Sequence, residues 1–374
     1  MKLRVPRALA VAVAAVTALV TVAPAAQAAT DPLTGWEIVA SGLRNPRGIV
    51  LLSDDLIAVA EAGANGVFPC NPPSPGTSGK PACYSETGAV TIAGYGTQYR
   101  ALDGLPSVGP PDGSGASGPH DLAVTPEGLV VVSGYANNPT IRGNLGGSSS
   151  LLGTVYRVRW WDGVRQVQGD LAAYEAAYNP DGIPGFEGFW SNPYATAADG
   201  ADRLVVDAGA NTLYRVGANG VSVEYVFPNR MVNGATGPQE MQPVPDAIVR
   251  GPDGAFYIGE LTGAPYPKGG ARVYRYVPGQ GAPTVWATGF TNIIDLYFDT
   301  QGRLYVLEMT RSGLLSGDPT GRIVRVESNG AQTEIASTGL IFPTSLAVAS
   351  NGSIYVSNKA ILPALGEVVR IPPR

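Results

Sequence analysis

The second half of this chain repeats a unit of about 50 residues, and the repeat restricts the fold more than any other feature of the sequence. The clearest copy, residues 290–340, contains four short runs rich in Val, Ile, Leu and Tyr, separated by turn sequences such as "DTQG" and "SNG". Four such runs predict a small antiparallel sheet. A sheet of this size needs neighbours to cover its hydrophobic faces, so we expect the copies to pack against one another.

Six copies can be aligned on the start of their first strand. The aligned positions are separated by 73, 74, 52, 48 and 50 residues and are Pro46, Pro119, Pro193, Pro245, Ile293 and Pro343. Six units of four strands predict an all-β fold, a six-bladed β-propeller. The sixth unit has only three strands, whereas the run "WEIVASGL" at residues 36–43 resembles a fourth strand. We therefore expect the N-terminal strand to complete the last blade and close the ring.

Residues 1–28 have the three-part form of a secretory signal peptide. Lys2, Arg4 and Arg7 precede an apolar run at residues 8–23, and the run is followed by Ala26 and Ala28, which suit cleavage after Ala28. The run is shorter than the roughly 20 residues of a membrane span. The sequence therefore predicts a secreted protein with no membrane span after cleavage, and one propeller domain at residues 29–374.

Charge and cysteine content agree with export. The net charge is -5 and the isoelectric point is near 5.1, so nucleic acid is a poor candidate for a partner. The only cysteines, Cys70 and Cys83, flank a loop without apolar periodicity. In an oxidising compartment they predict one disulfide, which stabilises the fold by roughly 3 kcal/mol.

The loops indicate which face of the propeller binds. Connections between first and second strands, and between third and fourth strands, are tight turns, whereas nearly all insertions fall in the other connections. These insertions meet at one face, and long loops on a rigid scaffold commonly carry binding residues. One insertion, "DLAAYEAAYNP", predicts a short helix.

Two columns of polar residues are expected at the channel opening on this face. The starts of the first strands supply Arg47, His120, Tyr194, Asp246, Ile294 and Thr344, followed one residue later by Asp121, Asp295 and Ser345. The ends of the second strands supply Glu61, Asp207, Glu260, Glu308 and Asn358. Arg47, Asp121, Tyr194 and the second column are candidate binding residues.

The acids allow two interpretations. Converging carboxylates suit a hard divalent cation such as Ca²⁺, with Asp121, Asp246 and Asp295 as ligands. Alternatively, each acid accepts hydrogen bonds from backbone N–H groups of the neighbouring blade. His120, the only histidine, and Asp295 are candidate general bases, although a lone histidine also suits a structural role. The chain has no Gly-x-Ser-x-Gly, phosphate-binding glycine loop or His-Glu-x-x-His sequence.

Several longer motifs, taken together, carry a family resemblance. They are "GLRNPRGI", "GPHDLAV", "DLAAYEAAYNPDG", "LVVDAGANTLYRV", "GELTGAPYPKGGARVYR" and "ATGFTNIIDLYFD". This pattern, which spans residues 29–374, resembles the ScyD/ScyE family of secreted bacterial proteins. The resemblance implies a six-bladed propeller related to NHL-repeat and SMP-30/gluconolactonase-like proteins. The lactonase relatives hold a divalent metal through Glu, Asn and Asp; Asp246 matches that pattern, whereas Tyr194 and Arg47 stand at the other two positions.

Two classes of function follow from the sequence. One is a secreted binding or scaffold module that holds an extracellular small molecule, glycan or protein at the insertion-rich face. The other is a divalent-metal-dependent, lactonase- or esterase-like hydrolase at the channel mouth. An accessory role in an extracellular or periplasmic biosynthetic pathway is a third possibility. Three or more ligand oxygens around one point would favour the hydrolase, whereas dispersed acids bonded to backbone would favour the binding module.

Overall fold

Six four-stranded antiparallel sheets form a ring, as the sequence predicts. The computed structural model describes residues 29–64, 66–72, 80–183, 189–234 and 237–373; the predicted signal peptide lies outside them. In every blade the first strand packs against the first strands of the neighbouring blades. The first strands therefore surround the central channel.

The strands fall at the predicted repeats. Blade 1 consists of Pro46–Ser53, Leu56–Glu61, Ala82–Gly94 and Thr97–Gly109. Blade 2 consists of Pro119–Thr125, Gly128–Ser133, Thr154–Arg159 and Arg165–Asp170. Blade 3 consists of Pro193–Asp199, Asp202–Asp207, Thr212–Gly217 and Gly220–Val226.

The second half of the ring has the same organisation. Blade 4 consists of Pro245–Arg250, Phe256–Glu260, Ala271–Tyr276 and Thr284–Phe290. Blade 5 consists of Ile293–Phe298, Leu304–Glu308, Arg322–Val326 and Gln332–Ala336. Blade 6 consists of Ser345–Val348, Ile354–Asn358, Gly366–Ile371 and the N-terminal strand Glu37–Leu43.

The N-terminal strand closes the ring, which confirms the prediction. Glu37–Leu43 pairs antiparallel with Gly366–Ile371, and Ala29–Thr30 extends the same sheet. Trp36, just before the strand, packs into a cluster with Ile354, Val356 and Ile371. The two ends of the described chain are thus held in one sheet.

The hydrophobic core lies between adjacent blades. Between blades 4 and 5, for example, Tyr257 and Val273 pack in one cluster with Leu296 and Val306. The second strands are covered on both faces, and every residue of Leu304–Glu308 is buried. This explains why second strands read as continuous apolar runs instead of alternating ones.

The insertions carry the irregular and helical elements. The predicted short helix is present as Leu171–Tyr178, and the carboxylate of Asp170 caps it by accepting a hydrogen bond from the Ala173 N–H. Two 3₁₀ segments, Pro139–Leu145 and Ser149–Leu151, lie in blade 2. A two-stranded hairpin, Arg230–Gly234 with Gly237–Met241, lies between blades 3 and 4.

The predicted disulfide is also present. Cys70 and Cys83 are bonded and face each other across the pairing of Cys70–Asn71 with Ala82–Gly94. Within the described ranges, no helix has both the length and the apolarity that a membrane span requires.

Shortening a core side chain of the closing strand tests the ring closure. Leu43 is 1% exposed, whereas Leu52, in blade 1, is 41% exposed. We expect Leu43→Ala to lower the free energy of unfolding by about 2–4 kcal/mol, because it removes buried methyl groups and leaves a cavity. The matched Leu52→Ala variant should change it by about 0.5 kcal/mol or less. Urea unfolding measures both; equal losses would contradict the role assigned to the closing strand.

Candidate functional site

A cavity of about 610 Å³ opens at the face that carries the insertions, above the central channel. All six residues of the predicted first-strand column line it: Arg47, His120, Tyr194, Asp246, Ile294 and Thr344. Each blade supplies one of them from the same position. The repeat therefore places six chemically different side chains around one space, which we call the mouth cavity.

The walls of the mouth cavity come from the loops. Apolar and aromatic wall residues are contributed by connections before blade 3 and within blades 4, 5 and 6, and include Trp190, Leu261, Tyr266, Met309, Leu314 and Ile361. Val244 and Tyr266 have φ angles of 50° and 54°. Left-handed backbone is costly for non-glycine residues, above all for β-branched ones, and is concentrated at functional sites in proteins.

Asp246 is the buried carboxylate of the mouth cavity; the other acid in the lining, Glu240, is exposed. Asp246 is 2% exposed, its Oδ1 atom is buried without a hydrogen-bond partner among the described residues, and it also borders the channel below. Burial raises the pKa of Asp246 well above its usual value, against the opposing effect of the Arg47 charge. An unpartnered buried carboxylate is costly to the fold, which makes Asp246 the strongest candidate for ligand contact.

Arg47 is the cation of the mouth cavity. Its guanidinium donates hydrogen bonds to the carbonyl oxygens of Pro46, Ala116 and Ala360 at 2.9–3.2 Å. Within the described part of the chain, no carboxylate forms an ion pair with it. Burial lowers the pKa of Arg47, but an arginine remains charged in proteins. The cavity therefore contains a fixed positive charge held by neutral carbonyls.

His120 is held in one tautomer. Its Nδ1 lies 3.1 Å from the Pro193 carbonyl oxygen, and because a carbonyl only accepts, Nδ1 carries the proton and Nε2 has the lone pair. Burial and the Arg47 charge lower the pKa of His120 to about 3. A side chain at Gly134 would collide with the imidazole ring. His120 is therefore a neutral hydrogen-bond acceptor at physiological pH.

One residue further along the first strands, Asp121 and Asp295 border a smaller channel cavity of about 170 Å³. Each accepts hydrogen bonds from its own blade and the next: Asp121 from Leu122 N and Thr196 N, at 2.8 Å, and Asp295 from Leu346 N at 2.9 Å and Ser345 Oγ at 2.7 Å, among others. Burial raises the pKa of Asp121 to about 7 and that of Asp295 to about 6. Both acids link adjacent blades.

The second predicted column does not line the mouth cavity, and its expected convergence on the channel opening is wrong. Glu61, Glu260 and Glu308 are fully buried and form ion pairs with Arg100, Arg230 and Arg322 at 2.6–3.0 Å. Asp207 accepts hydrogen bonds from Asn192 N and Ser191 Oγ, and Asn358 from Ile341 N.

These side chains fasten the linker that enters their own blade. Glu61 accepts from Arg44 N, and Glu308 from Thr291 N, each two residues before the first strand. The hydrogen bonds of Glu61 and Glu308 thus go to the linker of the same blade. The second interpretation, in which each acid bonds the neighbouring blade, is wrong for these two acids and correct for Asp121 and Asp295.

The predicted metal ligands do not form a coordinating group. All three border the channel cavity, but Asp121 and Asp295 accept hydrogen bonds from backbone amides, and Asp246 also lines the mouth cavity. Among the described residues, no three His, Cys, Asp or Glu side chains are grouped so that they could hold a metal ion. The arrangement does not fit a divalent cation, and no metal-dependent step is derived from it.

Comparisons with known proteins find a likeness among solved structures alone. No protein-family model matches the chain, and no curated protein matches its sequence. Solved structures of the SMP-30, gluconolactonase and regucalcin group resemble it. The calcium-binding protein regucalcin from Agrobacterium tumefaciens aligns with a TM-score of 0.48 and 11% identity over 90% of this chain and 95% of that chain.

Two further solved structures give similar values. A luciferin-regenerating enzyme aligns with a TM-score of 0.47 and 11% identity, covering 89% of this chain and 92% of that one. A catalytically inactive virginiamycin B lyase from Staphylococcus aureus, solved with quinupristin, aligns with a TM-score of 0.42 and 13% identity, covering 92% and 97%. Function therefore has to be argued from the residues of this chain.

The single histidine allows a direct test of the site's electrostatics. In protein without a histidine tag, we expect the His120 ring signals in NMR to stay unchanged from pH 8 to about pH 4, because the folded pKa is about 3. In denaturant the same signals should titrate near pH 6.5. The unfolded chain alone then binds this proton below pH 6.5, so His120 contributes a loss of stability as pH falls from about 6.5 to 3. A folded-state titration near pH 6.5 would contradict this assignment.

Alanine variants separate the acids that hold the blades from the acid that does not. We expect Asp295→Ala to lower the free energy of unfolding by about 1–3 kcal/mol, because Leu346 N and Ser345 Oγ lose their acceptor. Asp246→Ala removes no hydrogen bond to a described residue and should cost less. Chemical denaturation compares the two; the reverse order would refute this division.

Proposed function

We propose that this chain is an exported binding protein that holds a small organic molecule in the mouth cavity. The observation that carries the proposal is the buried carboxyl group of Asp246, which lines a cavity of about 610 Å³ and whose Oδ1 has no hydrogen-bond partner among the described residues. Buried polar groups are normally hydrogen-bonded. A ligand that donates a hydrogen bond to Asp246 would supply the missing partner.

The composition of the cavity suits a partly apolar ligand. Small-molecule sites are concave, have volumes of about 300–1,000 Å³ and combine apolar walls with a few polar groups. Here Trp190, Tyr266, Met309 and Leu314 are among the walls, and the polar groups lie on the floor. A flat protein-binding surface would not require buried charges at the bottom of a cavity.

The metal-dependent hydrolase is the weaker alternative. It requires several oxygen ligands around one ion, whereas the described acids form no group of three suited to a metal ion, and most of them are bonded to arginines or backbone amides. The imidazole of His120 is neutral, and its Nε2 carries the lone pair because Nδ1 donates to the Pro193 carbonyl oxygen. We assign His120 the role of a hydrogen-bond acceptor for the ligand. Export is supported by the sequence of residues 1–28 and agrees with the Cys70–Cys83 disulfide.

A ligand screen on the mature chain, residues 29–374, tests the proposal. A chemically broad library should contain compounds that raise the melting temperature and change tryptophan fluorescence, because a ligand at 100 times its Kd stabilises the folded state by about 2.7 kcal/mol. Trp190→Leu should weaken these effects because Trp190 lines the cavity. Trp161→Leu is the matched control, since Trp161 is 67% exposed and lies outside the cavity.

Two results would contradict the proposal. One is the absence of any stabilising compound among cations, anions, zwitterions and uncharged molecules. The other is a compound whose affinity is the same for wild type and Trp190→Leu but lower for Trp161→Leu, which would place binding elsewhere.

A further inference from the structure

We propose that the ligand of the mouth cavity is a small zwitterion, whose ammonium group binds Asp246 and whose carboxylate binds Arg47. This inference rests on the proposed function and names its ligand class. It also implies an apolar substituent, because most of the cavity wall is apolar or aromatic.

The two charges of a zwitterion match two ionisable side chains buried at the mouth cavity. Arg47 and Asp246 both line the cavity, and they are 5% and 2% exposed. They lie near enough to influence each other's pKa, yet the hydrogen bonds of Arg47 go to carbonyl oxygens and Asp246 has a buried oxygen without a partner. A cationic ligand would be opposed by the Arg47 charge, and a purely anionic one would lack the ammonium group that favours the ionised form of Asp246. A ligand with both charges satisfies both side chains.

The residues around Arg47 and Asp246 also suit a zwitterion with an apolar substituent. The rings of Tyr194 and Tyr266 line the same cavity, and aromatic rings attract ammonium groups through their electron-rich faces. An arginine fork suits a carboxylate because it offers parallel N–H donors. The remaining wall, which includes Trp190, Met309 and Leu314, can cover an apolar substituent.

Binding should change the protonation of Asp246. Burial raises its pKa in the free protein, and an ammonium group beside it favours the ionised form, so binding releases a proton. The titratable and charged groups that share a cavity with Asp246 or influence its pKa are Arg47, His120, Asp121, Tyr194, Asp207, Glu240, Tyr266 and Asp295. His120, with a pKa lowered to about 3, stays neutral near pH 7 and does not contribute.

Ligands that share a phenyl group and differ in their charged groups test the charge requirement. The first series is L-phenylalanine, 2-phenylethylamine and 3-phenylpropanoate, which carry both charges, the ammonium only and the carboxylate only. A second series based on the dipeptide Ala-Phe, its amide and its N-acetyl derivative covers a longer separation between the charges. We expect one zwitterion to bind wild type at least roughly tenfold more tightly than its singly charged analogues, because each lost charge leaves a buried partner unmatched.

Variants assign each charge to its partner. In Asp246→Asn, the zwitterion should no longer bind more tightly than the carboxylate-only analogue. In Arg47→Gln, it should no longer bind more tightly than the ammonium-only analogue. Trp161→Leu should retain the wild-type preference. Because Arg47 also bonds backbone carbonyls, circular dichroism and melting curves must first show that its variant is folded; Asp246→Asn, which is isosteric, decides the question if it is not.

Calorimetry in two buffers of different ionisation enthalpy provides an independent readout. Zwitterion binding should release up to one proton in wild type and none in Asp246→Asn. The proposal is overturned if singly charged analogues bind as tightly as the zwitterions, if Asp246→Asn retains the preference or the proton release, or if neither zwitterion series binds. If an uncharged library compound then binds wild type more tightly than Trp190→Leu, the proposed binding function holds without the zwitterion. If no compound binds, both the binding function and the zwitterion proposal are wrong.

Discussion

The pairing of the N-terminal strand with Gly366–Ile371 is the constraint on which the rest of this molecule depends. Each blade buries its apolar faces against its neighbours, so an open row of six sheets would expose two faces and an edge. Closure removes that edge and fixes six first strands around one axis. The mouth cavity exists because closure brings six residues, far apart in sequence, to one position in space.

Several buried carboxylates of this propeller hold the scaffold, whereas Asp246 does not. Asp121 and Asp295 accept backbone N–H groups across blade boundaries, and Glu61 and Glu308 fasten linkers while paired with arginines. Such acids recover the cost of their burial through hydrogen bonds and ion pairs. Asp246 receives no comparable contact from the described residues. The same residue type therefore has two roles, which only the contacts distinguish.

The sequence predicted the architecture and the floor of the site because both follow the repeat. The turn chemistry and apolar runs located the strands, and the incomplete sixth unit predicted the closing strand. His120, Tyr194 and Asp246 were found because each occupies the same position after the start of its blade. Repetition converts sequence position into spatial position wherever the units align.

The remainder of the site could not be predicted because it depends on contacts between units that do not align. Trp190, Tyr266 and Leu314 lie in insertions of different length, for which the repeat supplies no register. The sequence predicted Glu61 and Glu260 at the channel opening because both residues end second strands, and these strand ends lie at the face that carries the insertions. The arginine partners of these two glutamates lie 39 and 30 residues away, and these ion pairs direct the carboxylates into the blades. A position at a strand end thus specifies depth along the axis but not the direction of the side chain.

The unmatched polar groups of the mouth cavity agree with a preorganised site. Among the described residues, most buried acids have hydrogen-bond or ion-pair partners, yet the mouth cavity retains an Asp246 oxygen without a partner, the Arg47 guanidinium without an ion-paired acid, and Tyr266 in a left-handed backbone conformation. Each of these lowers stability, and the closed ring is rigid enough to maintain them. A ligand that supplies the missing partners recovers that free energy on binding, without first having to order the groups that it contacts.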